Sequence, residues 1–286
     1  MTSIGHNNWL QISLEKGSDT NITVPFHISY KAPISPMPFH EAADYTAKLI
    51  ATKYSNLHLS LSGGLDSEYV AATLLRNNIE FTPVIFSTRY NQEENWYAYK
   101  FCADNNITPK VLDYTSFESF ELLLKKLVEH TIELNVPFDQ STLPIIVADQ
   151  CSGPLITGYG DAIRYSTSYN DPIGPVLELE GHDFYLELKY GDAHPGAFFS
   201  YTPELFRALI TGLNTNVSTQ IAKAELYGLL PRPKINFIYT SACKSDSLNK
   251  IINTVRVELD YIAFCGVKKN IAFLRTGEES RKQLTE

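Results

Sequence analysis

Six consecutive residues of this 286-residue chain have the types and order suited to holding phosphate: Ser62-Gly63-Gly64-Leu65-Asp66-Ser67. A short apolar run at 57–61 leads into them, and a helical stretch at 65–76 follows. Paired glycines let the backbone turn sharply and approach a ligand closely. The start of the helix adds backbone N–H groups at the positive end of its dipole. Ser62 and Ser67 contribute hydroxyl groups. Together these groups form a cradle for phosphate oxygens. Asp66 is out of place as an anion ligand by itself. It fits if Mg²⁺ lies between it and the phosphates, because hard cations take carboxylate and phosphate oxygens together. The lysine of GxxxxGK[ST] is missing, so this is not a Walker A loop.

The segment resembles the SGGxDS signature of the PP-loop ATP pyrophosphatases. That group includes asparagine synthetase, GMP synthetase, NAD synthetase and several tRNA-modifying enzymes. The resemblance implies that ATP is cleaved between its α and β phosphates, with Mg²⁺ present and AMP passing to the substrate. Ser62, Gly63, Gly64, Leu65, Asp66 and Ser67 would bind the nucleotide, with Asp66 both catalytic and a metal ligand. A second segment, Thr157-Gly158-Tyr159-Gly160-Asp161, follows a short strand at 155–157. It is similar to the GEGADE loop of asparagine synthetase-type domains, where a carboxylate near the end binds metal. Here Asp161 comes one position early, and Tyr159 replaces a glutamate associated with ammonia. Ligands of doubly wound sheets lie at the carboxyl ends of strands, so Gly158 and Asp161 are expected to face the Ser62 loop across a crevice. A simple glycine turn capped by Asp161 is the competing reading.

Basic residues follow later in the chain. Lys223 and Tyr227 precede Pro231-Arg232-Pro233-Lys234. Departing pyrophosphate carries several negative charges, which fixed Lys and Arg side chains stabilise. Lys234 is the first choice for this role, then Arg232 and Lys223. A solvated basic turn is the alternative. By resemblance, the end of strand 81–87 contacts adenine, through Phe86 and Ser87. The next helix lies at the rim, where Glu94 and Asn95 are expected on solvated surface, with ligand contact as the alternative. Asp192 and His194 share an inserted loop, where substrate contact competes with plain exposure.

Other elements must position these groups. The stretch 9–30 reads as strands, and prolines at 33, 36 and 38 mark a connector, so 1–38 is expected to be a small β appendage. From 39 to 286 the chain reads as one domain of alternating strands and helices. Helices are expected at 40–54, 65–76, 93–105, 117–134 and 144–150, and strands at 57–61, 81–87, 111–112 and 155–157. That rhythm predicts an α/β fold, a doubly wound parallel sheet. The resemblance implies a HUP-type, Rossmann-like sheet of about five strands. The insertion 159–202 carries a hairpin pattern, with 176–180 and 184–188 flanking Gly181-His182-Asp183. Two helices are expected within 203–228 and an amphipathic helix over 246–265, making the C-terminal region helical.

The chain is 44% hydrophobic with a formal net charge of −8. An acidic chain is a poor prior for nucleic-acid binding. There is no apolar run long enough for a membrane helix and no signal-peptide pattern at the start, so a cytoplasmic location is expected. The cysteines, at 102, 151, 243 and 265, have no metal-ligand spacing and are expected to be reduced thiols. They also lack the paired or clustered patterns of the thiolating and deazaguanine-forming relatives. A glutaminase domain would need a cysteine after Met1 and far more than 38 residues. Nitrogen would then come as free ammonia, from a separate ammonia-supplying partner, or from an amine substrate. The sequence therefore points to an asparagine synthetase-like ligase domain acting on a small-molecule acceptor. A regulatory nucleotide-binding module without turnover, or a nucleotide- or tRNA-modifying enzyme of the same group, is the alternative.

Overall fold

The computed structural model describes residues 2–12, 26–28, 36–89, 91–134, 142–159, 162–164, 177–179, 185–214, 216–232, 262–264 and 272–274. Strands β1 (Thr2–Ile4), β2 (Leu10–Ile12) and β3 (Phe26–Ile28) form an antiparallel sheet. Then come α1 (Phe39–Lys53), β4 (Leu57–Ser60), α2 (Leu65–Arg76), β5 (Phe81–Thr88), α3 (Gln92–Asp104), β6 (Lys110–Tyr114), α4 (Phe117–Leu134), α5 (Leu143–Asp149) and β7 (Leu155–Thr157). They are followed by β8 (Ala162–Arg164), β9 (Leu177–Leu179), α6 (Tyr185–Tyr190), β10 (Gly196–Ala197), α7 (Pro203–Gly212), α8 (Thr219–Tyr227), β11 (Ile262–Phe264) and β12 (Ala272–Leu274).

The central sheet has five strands in the order β10-β7-β4-β5-β6, and every pairing is parallel. Parallel neighbours need crossovers, and the helices supply them on both faces. On one face α1, α2, α7, α8 and the inner side of α3 pack with Leu57, Leu59, Leu61, Ile85 and Ile156 in a single core. On the other, α4 lies on β6 and α5 on β7. The α/β class and the doubly wound sheet are as the strand–helix rhythm predicts. From β4 the chain winds outward through β5 to β6, then returns to β7 and winds the other way to β10. The order therefore reverses between β4 and β7, and the carboxyl ends of those two strands open the crevice where such sheets bind ligands.

Local sequence explains the helices that frame this crevice. In α1, Phe39, Ala42, Ala43, Thr46, Ala47 and Ile50 repeat at helical spacing and are all buried. Thr202 caps α7 by accepting the Leu205 N–H at 3.3 Å, with Pro203 in the first turn. The Thr202 hydroxyl also meets the Thr46 hydroxyl at 2.6 Å, tying α7 to α1. The N-terminal strands join the same core. Trp9 and Leu10 are buried in it, and the Trp9 indole N–H donates to the Ser200 carbonyl at 3.0 Å.

Two expectations are corrected. The antiparallel pair in the insertion joins β8 to β9, with Ala162 opposite Leu179. Residues 185–190, expected as its second arm, form helix α6. Tyr185 packs on Ile145 with Leu188 beside it, a spacing of three that suits one helix face better than alternation. The amphipathic helix expected over 246–265 does not reach its end, because 262–264 pair antiparallel with 272–274. The rest of that stretch, Cys243, Cys265 and the turn around His182 lie outside the described residues.

Helix α6 also buries Glu187. Its Oε1 accepts the Ala197 N–H at 2.9 Å, and a Cβ on Gly196 (φ +66°) would sit 1.8 Å from that oxygen. Oε2 has no hydrogen-bond partner. Burial pushes the carboxyl up to about 7 from an ordinary value of 4.5, against the opposing effect of the Ala197 bond. Between those values the folded protein keeps a proton that the unfolded chain has lost. Stability therefore falls as pH rises through that window, by roughly 3 kcal/mol in total. Glu187→Gln keeps an acceptor for Ala197 without the charge. Thermal melts from about pH 5 to about pH 8 should show wild type losing stability faster than the variant. Parallel curves would show that Glu187 does not titrate in this way.

Candidate active site

The loop between β4 and α2 occupies the crevice. Gly63 has φ +87°, a left-handed conformation, and a Cβ there would lie 2.1 Å from the Glu94 carbonyl oxygen. The backbone of α3 thus lies directly behind the loop, leaving room only for glycine. The two serine hydroxyls close the loop on itself. Ser67 Oγ donates to the Gly64 carbonyl at 3.2 Å and accepts the Ser62 N–H at 3.2 Å. Ser62 Oγ lies 3.1 Å from Ser67 Oγ and accepts the Gly64 N–H at 3.3 Å. Since the Ser67 proton goes to Gly64, Ser62 is the donor between the hydroxyls. No side chain caps α2, so its first-turn N–H groups keep the anion-binding character of an uncapped helix start.

The exit of β7 packs against this helix start. A Cβ on Gly158 would come within 2.6 Å of Ser67 Cα and 2.7 Å of Ser67 N. Gly158 and the Ser62 loop therefore meet across the crevice at contact distance. The Thr157 hydroxyl just before it is buried without a hydrogen-bond partner.

Asp66 projects from the first turn of α2 toward α8. Its Oδ2 accepts from Lys223 Nζ at 2.8 Å, and its Oδ1 from the Tyr227 hydroxyl at 2.6 Å. Four residues apart, Lys223 and Tyr227 share one face of α8. The Lys223 side chain is only 4% exposed, against 25% for Asp66. Tyr227 cannot swing away easily. Its ring stacks on Tyr69 at 4.6 Å, Phe39 at 5.6 Å and Phe199 at 5.6 Å. Tyr69 is fixed in turn, its hydroxyl 2.8 Å from His40 Nδ1 and accepting from Arg76 at 3.3 Å. Burial raises the Tyr69 phenol.

Arg232 closes the loop from the other side. Gly228 ends α8 in the left-handed conformation (φ +67°), and the Leu229 N–H returns to the Ala224 carbonyl at 2.9 Å. The chain turns back there and brings Arg232 onto the loop. Its guanidinium donates to the Gly63 carbonyl at 2.8 Å, pairs with Glu68, and lies 4.4 Å over the Tyr97 ring.

The structure brings Ser62, Gly63, Gly64, Leu65, Asp66, Ser67, Gly158, Lys223 and Arg232 together. Asp161 and Lys234 lie outside the described residues. At the end of β5 the Phe86 carbonyl is engaged by Asn91 Nδ2 at 2.8 Å and Asn95 Nδ2 at 3.1 Å, while the Ser87 hydroxyl accepts from Gln92 at 2.9 Å. Asn95 is fully buried rather than solvated, because it closes this strand–helix turn, and its Oδ1 has no partner. Away from the crevice, His194 Nδ1 accepts the Leu155 N–H at 2.9 Å, and burial lowers this histidine's pKa. Asp192 forms an exposed pair with Lys53. Sequence reasoning missed Glu68, Tyr97 and the aromatic stack. The spacing of Lys223 and Tyr227 was the one available signal.

No family model and no curated protein sequence matches the chain. Among solved structures, it is similar to NMN synthetase from Francisella tularensis, at 15% identity over 76% of this chain and 94% of that one, with a TM-score of 0.34. An NH3-dependent NAD synthetase from Campylobacter jejuni subsp. jejuni gives 18% identity, 69% and 99% coverage and a TM-score of 0.31. A glutamine-dependent NAD+ synthetase from Acinetobacter baumannii, in complex with ADP, gives 17%, 80% and 46%, and 0.32. At these scores none of the likenesses bears on the activity of this chain.

The fit of Gly63 against α3 has a direct consequence. Gly63→Ala must adopt a left-handed backbone and push the Glu94 carbonyl away. It should cost about 2 kcal/mol or more, a fall of ~4–8 °C in melting temperature. Calorimetry that finds an unchanged melting temperature would show the loop free to rearrange.

Proposed function

We propose that the chain is an ATP pyrophosphatase-type ligase of the PP-loop kind, close in mechanism to asparagine synthetase. The observation that carries this reading is the Ser62–Ser67 loop at the sheet's switch point, with Lys223 and Asp66 paired beside it. ATP would lie with its phosphates at the start of α2. The two serine hydroxyls and the Gly64 N–H now satisfy one another, and phosphate oxygens would replace those partners. An acceptor carboxylate or carbonyl oxygen attacks the α-phosphorus, and the bond to the β-phosphate bridging oxygen breaks. Pyrophosphate leaves with its charge stabilised by Lys223. An amine or ammonia then attacks the adenylated carbon, its nitrogen gives a proton to solvent, and AMP departs.

Asp66 suits Mg²⁺ as a hard oxygen donor at the edge of the loop. Among the described residues no group of three or more His, Cys, Asp and Glu is placed to hold a metal. A single carboxylate fits an ion whose other ligands are phosphate oxygens and water, as is usual for Mg²⁺. Bound there, the ion would neutralise charge developing on the phosphates. The Phe86 carbonyl, already accepting two side-chain N–H groups, is a weak candidate for reading adenine. Arg232 acts by holding the loop's shape. Among the described residues no helix is long and apolar enough to cross a membrane.

With ATP, Mg²⁺ and an acceptor, chromatography should show AMP and pyrophosphate. ADP and phosphate would place the chain in another mechanistic class, and no ATP binding by calorimetry would remove the nucleotide altogether. Asp66→Asn should lower turnover on the order of a hundredfold or more. It also removes a carboxylate from beside the buried Lys223, which lowers stability. Turnover should therefore be compared well below the variant's melting temperature.

A further inference from the structure

We propose that Lys223 is a built-in competitor of divalent metal at Asp66, so that the carboxylate accepts the ion only when a polyphosphate draws the ammonium away. The inference rests on the reading above for its purpose, but its geometry stands alone. Both Asp66 oxygens are taken, Oδ2 by Lys223 at 2.8 Å and Oδ1 by Tyr227 at 2.6 Å. A divalent ion binds a carboxylate oxygen at about 2.1 Å, in the space where the ammonium now lies. Two cations cannot share that oxygen without strong repulsion, so one must leave. Without nucleotide the ion would gain only this one neutralised carboxylate for the loss of its own waters, and Mg²⁺ dehydrates reluctantly.

The two partners of Asp66 differ in stiffness. Tyr227 is clamped in a stack of rings and keeps Oδ1, which holds the carboxylate plane fixed. Lys223 sits on a flexible four-carbon stem and can exchange its anion by rotating side-chain bonds, with α8 staying in place. A bound polyphosphate offers the ammonium a richer anion and supplies the metal's remaining oxygen ligands. Metal and nucleotide would therefore bind together, and the loop would stay free of metal between turnovers. Lys223 would hold the metal position in the resting protein and move onto phosphate in the loaded one.

The test uses the full chain, no nucleotide, and Mn²⁺ as the probe, followed by electron paramagnetic resonance. Wild type should bind Mn²⁺ weakly. Lys223→Met, which removes the competing charge, should bind it at least about tenfold more tightly. The gain should vanish in the Lys223→Met/Asp66→Asn double variant, and Tyr227→Phe should show none. Lys223→Gln provides a second version of the same change should the methionine variant fold poorly. Thermal melts with and without Mn²⁺ should then show metal stabilising that variant more than wild type. Equal Mn²⁺ affinity in wild type and both Lys223 variants would overturn the proposal, as would a gain that survives the loss of Asp66. Because no nucleotide is present, these outcomes are independent of whether AMP and pyrophosphate form.

Discussion

A buried ammonium tolerates only a fixed anion beside it, and the Lys223–Asp66 pair imposes that condition on the whole site. Lys223 is almost wholly enclosed, and the docking of α8 on α2 sets Asp66 opposite it at 2.8 Å. That docking brings Tyr227 into the stack with Phe39, Tyr69 and Phe199, which joins α1, α2, α8 and the segment before α7 into one core. It also sets where α8 ends, and so where Gly228 turns the chain to bring Arg232 onto the Gly63 carbonyl. One charge pair thus links the last described helix to the first loop of the sheet.

The sheet supplies the complementary constraint. Reversal of winding between β4 and β7 leaves their carboxyl ends adjacent with no helix crossing over them. Gly158 exploits this by meeting Ser67 at a distance that excludes any side chain, and Gly63 does the same against α3. Glycine is required at both positions for closeness of approach, and at Gly63 for backbone conformation as well. The loop is therefore fixed on both flanks by backbone contact, while its own hydroxyls close its interior.

The parts legible in the sequence were those whose causes are local. Helices 65–76 and 117–134 have the bounds expected of them because their apolar periodicity and their flanking turn residues lie within the same stretch. The phosphate-suited loop was visible for the same reason. Residues 184–188 misled because Phe-Tyr-Leu-Glu-Leu satisfies a period of two as easily as one helical turn. The choice was made by Ile145 and by the Ala197 N–H that Glu187 reaches. Asn95 reads as a solvated position because nothing in α3 alone shows that the Phe86 carbonyl needs a donor. The partners of Asp66 lie 157 and 161 residues downstream, a separation that no local pattern records.

In the resting loop both serine hydroxyls, the Ser62 and Gly64 N–H groups and the Gly64 carbonyl already have partners inside the loop. Such a loop gains little from a ligand that only replaces hydrogen bonds one for one, since net hydrogen-bond exchange is worth about 1 kcal/mol per bond. Its selectivity must come from groups that internal partners cannot satisfy fully. The open helix start is of that kind, and a polyphosphate offers the ammonium of Lys223 more charge than the Asp66 carboxylate does. The geometry therefore favours a ligand with several linked anionic groups over a single phosphate. A lone phosphate could reach the helix start or the lysine, whereas a chain of phosphates can engage both while leaving Asp66 to a metal ion.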